Sequence, residues 1–447
     1  MRSQTLPAFV DDRKLRLFLG TLLYLAQGFP QGVVFYAIPN WLAVNEQGAA
    51  VVGMAAAAAS MPWMAKWAVG AFIDRYTYLP MGRRRPWLIG AQVGIAIAFL
   101  SFALVAPSAD ETKLVVGFCF MVSSLTAIQD VALDALVIDL TPDHEKGRLN
   151  GFMFGGKLFG IAGGMAISGY FMQYHGIDSA MLAMLVLFAV PALASIAIRE
   201  RPGEKLLPWM SGVASAEARA MKPQAWLPII MLALKNLLRR DTFLVLILML
   251  SYGVHQIFWE QGTTLFAAER LGWGEADLGL FGAAGNLVLG AFSLLLGGLL
   301  IDRFGPRRIA IYSSGAVLLT LGTLAGLSAE LDSSLLFVVN CALVALPAIL
   351  FYLVMLVLAM RVSVVEVAAT SFALIVAVHA LGTTLASSFL GQVMEMGGFP
   401  LMFGLAAFFL AMAGTMTLWM THKTAGPVVA EDAGINVEAR SIQSTEN

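Results

Sequence analysis

The sequence predicts an all-α integral membrane protein of twelve transmembrane helices in two six-helix bundles. Three observations carry this. The apolar set A, V, I, L, M, F, W, Y and C makes up 59% of the chain and charged residues only 13%, where soluble domains average about 25% charged. The apolar residues fall in runs of about 20, long enough to cross a hydrocarbon core as helix. A loop signal, G-x-x-x-D-R, occurs twice, at matching places in the two halves of the chain.

In order, the first six spans are expected at 16–39, 49–73, 86–106, 114–139, 149–172 and 180–198, and the second six at 241–267, 277–301, 308–328, 334–360, 366–393 and 399–421. This makes residues 1–198 an N-terminal six-helix bundle and 241–421 a C-terminal one. Residues 199–240, rich in Pro and charge, read as a cytoplasmic interdomain linker. Residues 422–447 read as a disordered cytoplasmic tail. The N-terminal stretch MRSQTLPAFVDDRKLR is too polar for a cleaved signal peptide.

Orientation follows from Lys and Arg. Lys113 and Arg270 fall in outer loops, and Lys66 and Lys157 fall inside spans. The remaining 24 of the 28 basic residues lie on one side, which the positive-inside rule makes cytoplasmic, with both termini there. The net charge of −1 gives no reason to expect a nucleic-acid partner. Cys119 and Cys341 both sit in apolar spans, so neither a disulfide framework nor a metal site is expected. No cofactor motif occurs. Without a P-loop the chain alone does not run on ATP. Without H-E-x-x-H, G-x-S-x-G or a paired histidine motif in the spans, an enzyme is not expected.

The repeated loop reads GAFIDRY after span 2 (Gly70, Asp74, Arg75), followed by Gly82 and Arg83-Arg84-Arg85. After span 8 it reads GLLIDRFGPRR (Gly298, Asp302, Arg303, Gly305). One copy is a weak signal; two in register across a 6 + 6 pattern indicate a duplicated transporter with its site near the midplane between halves. The chain resembles the major facilitator superfamily over nearly its whole length. The lengthened first loop, DRYTYLPMGRRRPW, and QDVALDALVIDL in span 4 are similar to the AmpG muropeptide permease family, and place Gln129, Asp130 and Asp134 on its Q-D-x-x-x-D-A pattern. Lys157 stands where that family tends to carry an arginine. LYLAQGFPQG in span 1 also resembles acetyl-CoA transporters, and FWEQGTTLFA in span 7 resembles proton-coupled oligopeptide transporters. Siderophore permeases are a further possibility. A non-transporting receptor is disfavoured, because no loop is long enough for a signalling domain.

Acids in span 4 are the main functional signal. Asp130 and Asp134, four apart, share a helix face, and Asp139 points away near the helix end. Carboxylates in a span are costly and face a partner or a water-filled cavity. At 1.5 Å rise per residue, Lys66, Asp130 and Lys157 lie about 12–14 Å from the cytoplasmic ends of their spans, and Gln27 about 16 Å. Asp130, Asp134 and Lys157 are expected to form a proton-coupling or solute-binding group, the other reading being a static ion-pair network. For Lys66 the structural reading is preferred. Gln27 and Gln31 flank Pro30 in QGFPQG, a helix interruption read as a moving part. In span 5, Gly156, Gly160 and Gly164 form a small-residue packing face.

In the C-terminal half, His255, Gln256, Trp259, Glu260 and Gln261 in span 7, with Tyr252, are candidates to line the cavity. His255 and His379 lie about 20 Å from the cytoplasmic ends of spans 7 and 11. Each histidine is either a proton-coupling group or a hydrogen-bonded packing residue. Asp74, Arg75, Arg83, Arg84, Asp139, Asp302 and Arg303 read as gating residues, with Asp139 a latch to the arginine loop. The whole implies a monomeric, proton-coupled importer of an amphiphilic or glycopeptide-type small solute, such as an anhydro-muropeptide, in the inner membrane. Its partners are the solute, protons and the lipid bilayer.

Overall fold

A computed structural model describes residues 8–141, 143–220, 231, 234–327, 333–363 and 368–420. All twelve expected spans are helical there: Arg13–Val44, Ala49–Arg75 (in two pieces), Arg85–Val105, Thr112–Leu140, Asp143–His175 and Ile177–Ala197, then Arg240–Leu271, Glu275–Phe304 (with a wide turn), Pro306–Leu327, Ser334–Val362, Ala368–Ser388 and Leu390–Trp419. Among the described residues no strand pairs beyond one bridge, Ala8 with Arg199, which ties the chain's start to the end of span 6. The tail expected at 422–447 lies outside the described residues.

Helix continuity breaks where the sequence removes a backbone donor or adds glycine. Pro30 lies within the helix of span 1, and the π turn Val33–Ala37 follows one residue after Gly32. The helix therefore widens beyond QGFPQG and does not stop at it. In span 2, Pro62 precedes a break at Ala65 (φ −90, ψ 2), and a second helix starts at Lys66. In span 8 a second π turn occupies Ser293–Gly297. The boundary expected between 393 and 399 falls at Gly398. Span 11 runs on past a slight break at Phe389 (φ −102, ψ 3), and Gly398, whose φ of 59° and ψ of −152° suit glycine, separates it from span 12.

Glycine sets the closest approach. Span 1 packs on span 5 so tightly that a Cβ on Gly28 would lie 2.3 Å from the Lys157 carbonyl oxygen, and one on Gly160 2.3 Å from that of Leu25. The two six-helix halves meet through spans 5 and 8 and spans 2 and 11. A Cβ on Gly169 would lie 2.4 Å from the Glu275 carbonyl oxygen, and one on Gly53 2.2 Å from that of Ser387. Hydrogen bonds cross between halves at the end carrying Gly48, Gly176 and Gly272. Thr264 donates to Asn40 at 3.2 Å, Asn45 to Glu275 at 3.3 Å, and the Ala276 N–H to Gln173 at 2.8 Å. The boundary along which these spans of the two halves meet is the seam.

Candidate functional site

Four spans of the N-terminal half bring their polar groups to one place. Asp130, 3% exposed, accepts hydrogen bonds from the Gln27 amide of span 1 and from the Lys66 ammonium of span 2, with which it forms an ion pair. One turn along span 4, Asp134 accepts a hydrogen bond from the Tyr24 hydroxyl. Tyr24, Gln27 and Gln31 recur at three- and four-residue spacing and so share a face of span 1. The break at Ala65 places Lys66 at the first position of a new helix, from which its side chain reaches Asp130.

Trp63 sits at the centre of the cations. The ammonium of Lys66 lies 5.2 Å and that of Lys157 5.4 Å from its ring centroid, within cation–π range. The indole N–H donates to Ser123 at 2.9 Å, and Ser123 donates to the Ala59 carbonyl. Both acids of the expected group lie within electrostatic reach of Lys157, but the direct contact to Asp130 is made by another lysine. The ion pair runs from Asp130 to Lys66, and Lys157 stands against Trp63. The depth count had put these groups at one level; depth leaves open the angle at which each helix presents its side chain. Gln129 is fully buried beside the cluster, with no hydrogen-bond partner for either amide atom among the described residues.

Across the seam, the C-terminal half presents a second chain of polar groups. His379 of span 11 lies 2.9 Å from the Gln256 carbonyl oxygen, and the Gln256 amide donates to Glu260 at 2.9 Å. With its amide nitrogen on Glu260, Gln256 turns its carbonyl oxygen to the His379 ring. Tyr36 of span 1 lies within electrostatic reach of Glu260, and Tyr352 of span 10 within reach of Lys66, so the two chains face each other. Two neighbours turn elsewhere, and a third meets His379 through its ring. His255, 1% exposed, sits with Nδ1 2.9 Å from the Ala406 carbonyl oxygen of span 12. Trp259 packs on Phe403. Tyr252 is buried, donates to the Ala348 carbonyl and stacks on the His379 ring at 5.9 Å. Of the span 7 candidates, Gln256 bonds His379, Glu260 is joined to it through Gln256, and Tyr252 meets it by ring contact.

At the other end of the N-terminal half, Arg84 donates to Asp139 at 2.9 Å. Glu200, 1% exposed, accepts the backbone N–H groups of Arg83, Arg84 and Arg85 at 2.9, 2.7 and 2.6 Å. It thereby satisfies the orphan donors where span 3 begins. Arg85 donates to the carbonyls of Ser195 and Ile196, ending span 6, and to those of Lys205 and Leu206 in the linker. The Lys205 N–H donates to Pro80 at 2.7 Å. The start of the linker is thus laced onto the loop between spans 2 and 3. Burial holds the Glu204 carboxyl above its ordinary value of 4.5, and the nearby Glu200 charge adds to this. Arg75 and Arg303 are exposed, the latter against the Phe304 ring at 5.6 Å. The side chains of Asp74 and Asp302 lie outside the described residues.

Sequence reasoning passed over Tyr24, Trp63 and Glu200. Spacing marks the first two, since Tyr24 is three residues before Gln27 and Trp63 three before Lys66. Glu200 lies just past a span end, where only the fold shows which helix N-terminus it meets.

Residues 20–285 match the Major Facilitator Superfamily. The chain belongs to that superfamily. It is 22% identical over 440 residues to the anhydromuropeptide permease of Escherichia coli K12, covering 95% of this chain and 82% of that protein. It is 27% identical over 145 residues to an uncharacterized protein of Haemophilus influenzae, 31% of this chain and 33% of that one. In fold it is similar to the E. coli xylose transporter XylE in an inward-open conformation, with a TM-score of 0.69 at 15% identity, covering 94% of this chain and 98% of that one. The nucleoside transporter NupG gives a TM-score of 0.69 at 12% identity over 91% and 99%. This superfamily member is therefore a multi-pass membrane transporter.

Proposed function

We propose that this transporter is a proton-coupled importer of an amphiphilic, glycopeptide-type solute of the anhydromuropeptide class in the inner membrane, with both termini cytoplasmic. The observation that carries the reading is the linked set Gln27–Asp130–Lys66 and Tyr24–Asp134, held inside the spans and facing His379–Gln256–Glu260 across the seam. The full-length similarity to a named anhydromuropeptide permease supports the solute class.

The chemistry follows from the pairing. While Asp130 is ionised, its charge holds the Lys66 ammonium and the Gln27 amide, tying spans 1, 2 and 4 together. A proton on Asp130 removes the Coulombic attraction and releases Lys66. A proton then biases the halves wherever the pairing differs between the two arrangements. Solute between the halves meets amide and carboxylate groups on one side and Trp63 on the other, a mixture suited to sugar rings and peptide bonds. With Gly48, Gly176 and Gly272 at the outer face, the bonds that join the halves close the outer end.

Counterflow tests the solute class. Proteoliposomes loaded with unlabelled N-acetylglucosaminyl-anhydromuropeptide should transiently concentrate the labelled compound. Folded, inserted protein that shows no counterflow rejects the solute class and turns the search to siderophore and acyl-CoA compounds.

A further inference from the structure

Lys157 is the cation of the cluster that no acid claims. Its ammonium contacts the Trp63 ring, and among the described residues it makes neither an ion pair nor a hydrogen bond. Asp130 and Asp134 lie within electrostatic reach, yet the first is bound to Lys66 and Gln27 and the second to Tyr24. A cation within a span is costly, so such groups find an anion or water.

A second unsatisfied donor lies beside it. Gln31 is buried and its Nε2 has no hydrogen-bond partner among the described residues. Gln27, Gln31 and Phe35 follow one another at four-residue spacing along a face of span 1. The first of them bonds Asp130, and the Phe35 ring is 6.3 Å from that of Trp63. Gln31 therefore lies along span 1 between the residue that bonds the acid and the one that meets the indole. Span 5 meets the same stretch, since Gly28 abuts the Lys157 carbonyl. An ammonium and an amide donor, neither hydrogen-bonded among the described residues, and an aromatic wall are carried by spans 5, 1 and 2 where these pack together.

We infer that Lys157, Gln31 and Trp63 form a subsite for a carboxylate of the transported solute, the ammonium and amide binding its oxygens while the adjoining part of the solute packs on the indole. The inference rests on the proposed function, because it takes the seam as the solute's path. It separates two lysines at one depth: Lys66 serves the protein's own acid, and Lys157 serves the solute's.

Calorimetric binding to the purified full-length protein tests it, using N-acetylglucosaminyl-anhydromuropeptide and the same compound with its peptide carboxylates converted to carboxamides. Wild type should bind the acid about tenfold more tightly than the amide. Lys157→Gln should bring the two within about twofold, Lys157→Arg should keep most of the preference, and Gln31→Leu should lower it about threefold. Should Lys157→Gln not fold, the Arg and Gln31 variants carry the comparison. A preference undiminished in Lys157→Gln, or unchanged in Gln31→Leu where that variant alone folds, or absent from wild type, overturns the subsite. If wild type binds neither form, the solute class fails, and the subsite is judged on thermal stabilisation by N-acetyl-D-alanine against N-acetyl-D-alaninamide. Stabilisation by the acid alone, lost in Lys157→Gln, keeps it; any other result overturns it.

Discussion

Lys66 and Asp130 form an ion pair that joins span 2 to span 4 within the membrane-spanning part of the fold, with the carboxylate side chain 4% and the lysine side chain 29% exposed. Removing one member of such a pair leaves the other uncompensated, at a cost of about 3–5 kcal/mol when fully buried. The partial exposure of Lys66 puts the cost here nearer about 2 kcal/mol. Lys66→Met should therefore lower the unfolding midpoint in detergent. The double variant Lys66→Met, Asp130→Asn should recover at least half of the loss. A double variant no better than the singles would mean that the two residues act separately.

Asp130→Asn keeps the shape of the side chain and removes its titration. Counterflow should persist in this variant while gradient-driven accumulation disappears. The checking measurement is both assays on one proteoliposome preparation. Accumulation at the wild-type level would end Asp130's coupling role.

Much of this geometry is legible in the sequence, and the limit has a physical cause. Twelve spans follow from apolar run length, since a hydrocarbon core requires about 20 helical residues. The common depth of Lys66, Asp130 and Lys157 follows from the fixed helical rise. What is not legible is azimuth. Which lysine reaches Asp130 depends on the break at Ala65 and on how glycines let span 1 lie against span 5. Depth puts Lys66 and Lys157 at one level, and tertiary packing sets which of them touches Asp130. Glu200 was hidden for a related reason: a carboxylate in a polar linker looks solvated until the start of span 3 is placed against it.

Glu200 supports three backbone donors that would otherwise be orphaned at a buried helix start. Hydrogen bonds to a charged group contribute about 1.5–3 kcal/mol each, and the geometry is retained in part by glutamine. Glu200→Gln should destabilise the N-terminal half by roughly 2 kcal/mol and Glu200→Ala by more. Limited proteolysis between residues 76 and 84 reads this directly. Equal resistance in all three proteins would contradict the capping role.

The linker carries a pH signature through Glu204. Its carboxyl titrates above 4.5 in the folded protein, because burial and the Glu200 charge disfavour ionisation. A carboxyl raised on folding contributes stability that is full below the unfolded value and is lost as pH rises through the folded value. The stability advantage of wild type over Glu204→Gln should thus be largest below about pH 4 and shrink as pH rises through the raised value. Thermal midpoints of the two proteins across that range check the sign. An advantage that grows with pH would contradict it.

Gly160 admits no side chain where span 5 crosses span 1, since its Cβ would meet the Leu25 carbonyl oxygen and the Gly28 Cα at 2.3 and 2.8 Å. Backbone on both sides leaves nothing to yield, and overpacking costs about 1–3 kcal/mol or more. Gly160→Val should abolish transport and lower the yield of folded protein. Gly155→Val, on the same helix with open space around its Cβ, should leave both nearly unchanged. Size-exclusion profiles with counterflow on both variants decide it.

The most direct test of proton-coupled import is uptake of labelled N-acetylglucosaminyl-anhydromuropeptide into proteoliposomes, with and without an inward proton gradient. Accumulation above the external concentration, present only with the gradient and lost on adding a protonophore, is the expected result. Uptake that stops at equilibrium whatever the gradient, from protein active in counterflow, would contradict coupling and leave a facilitator.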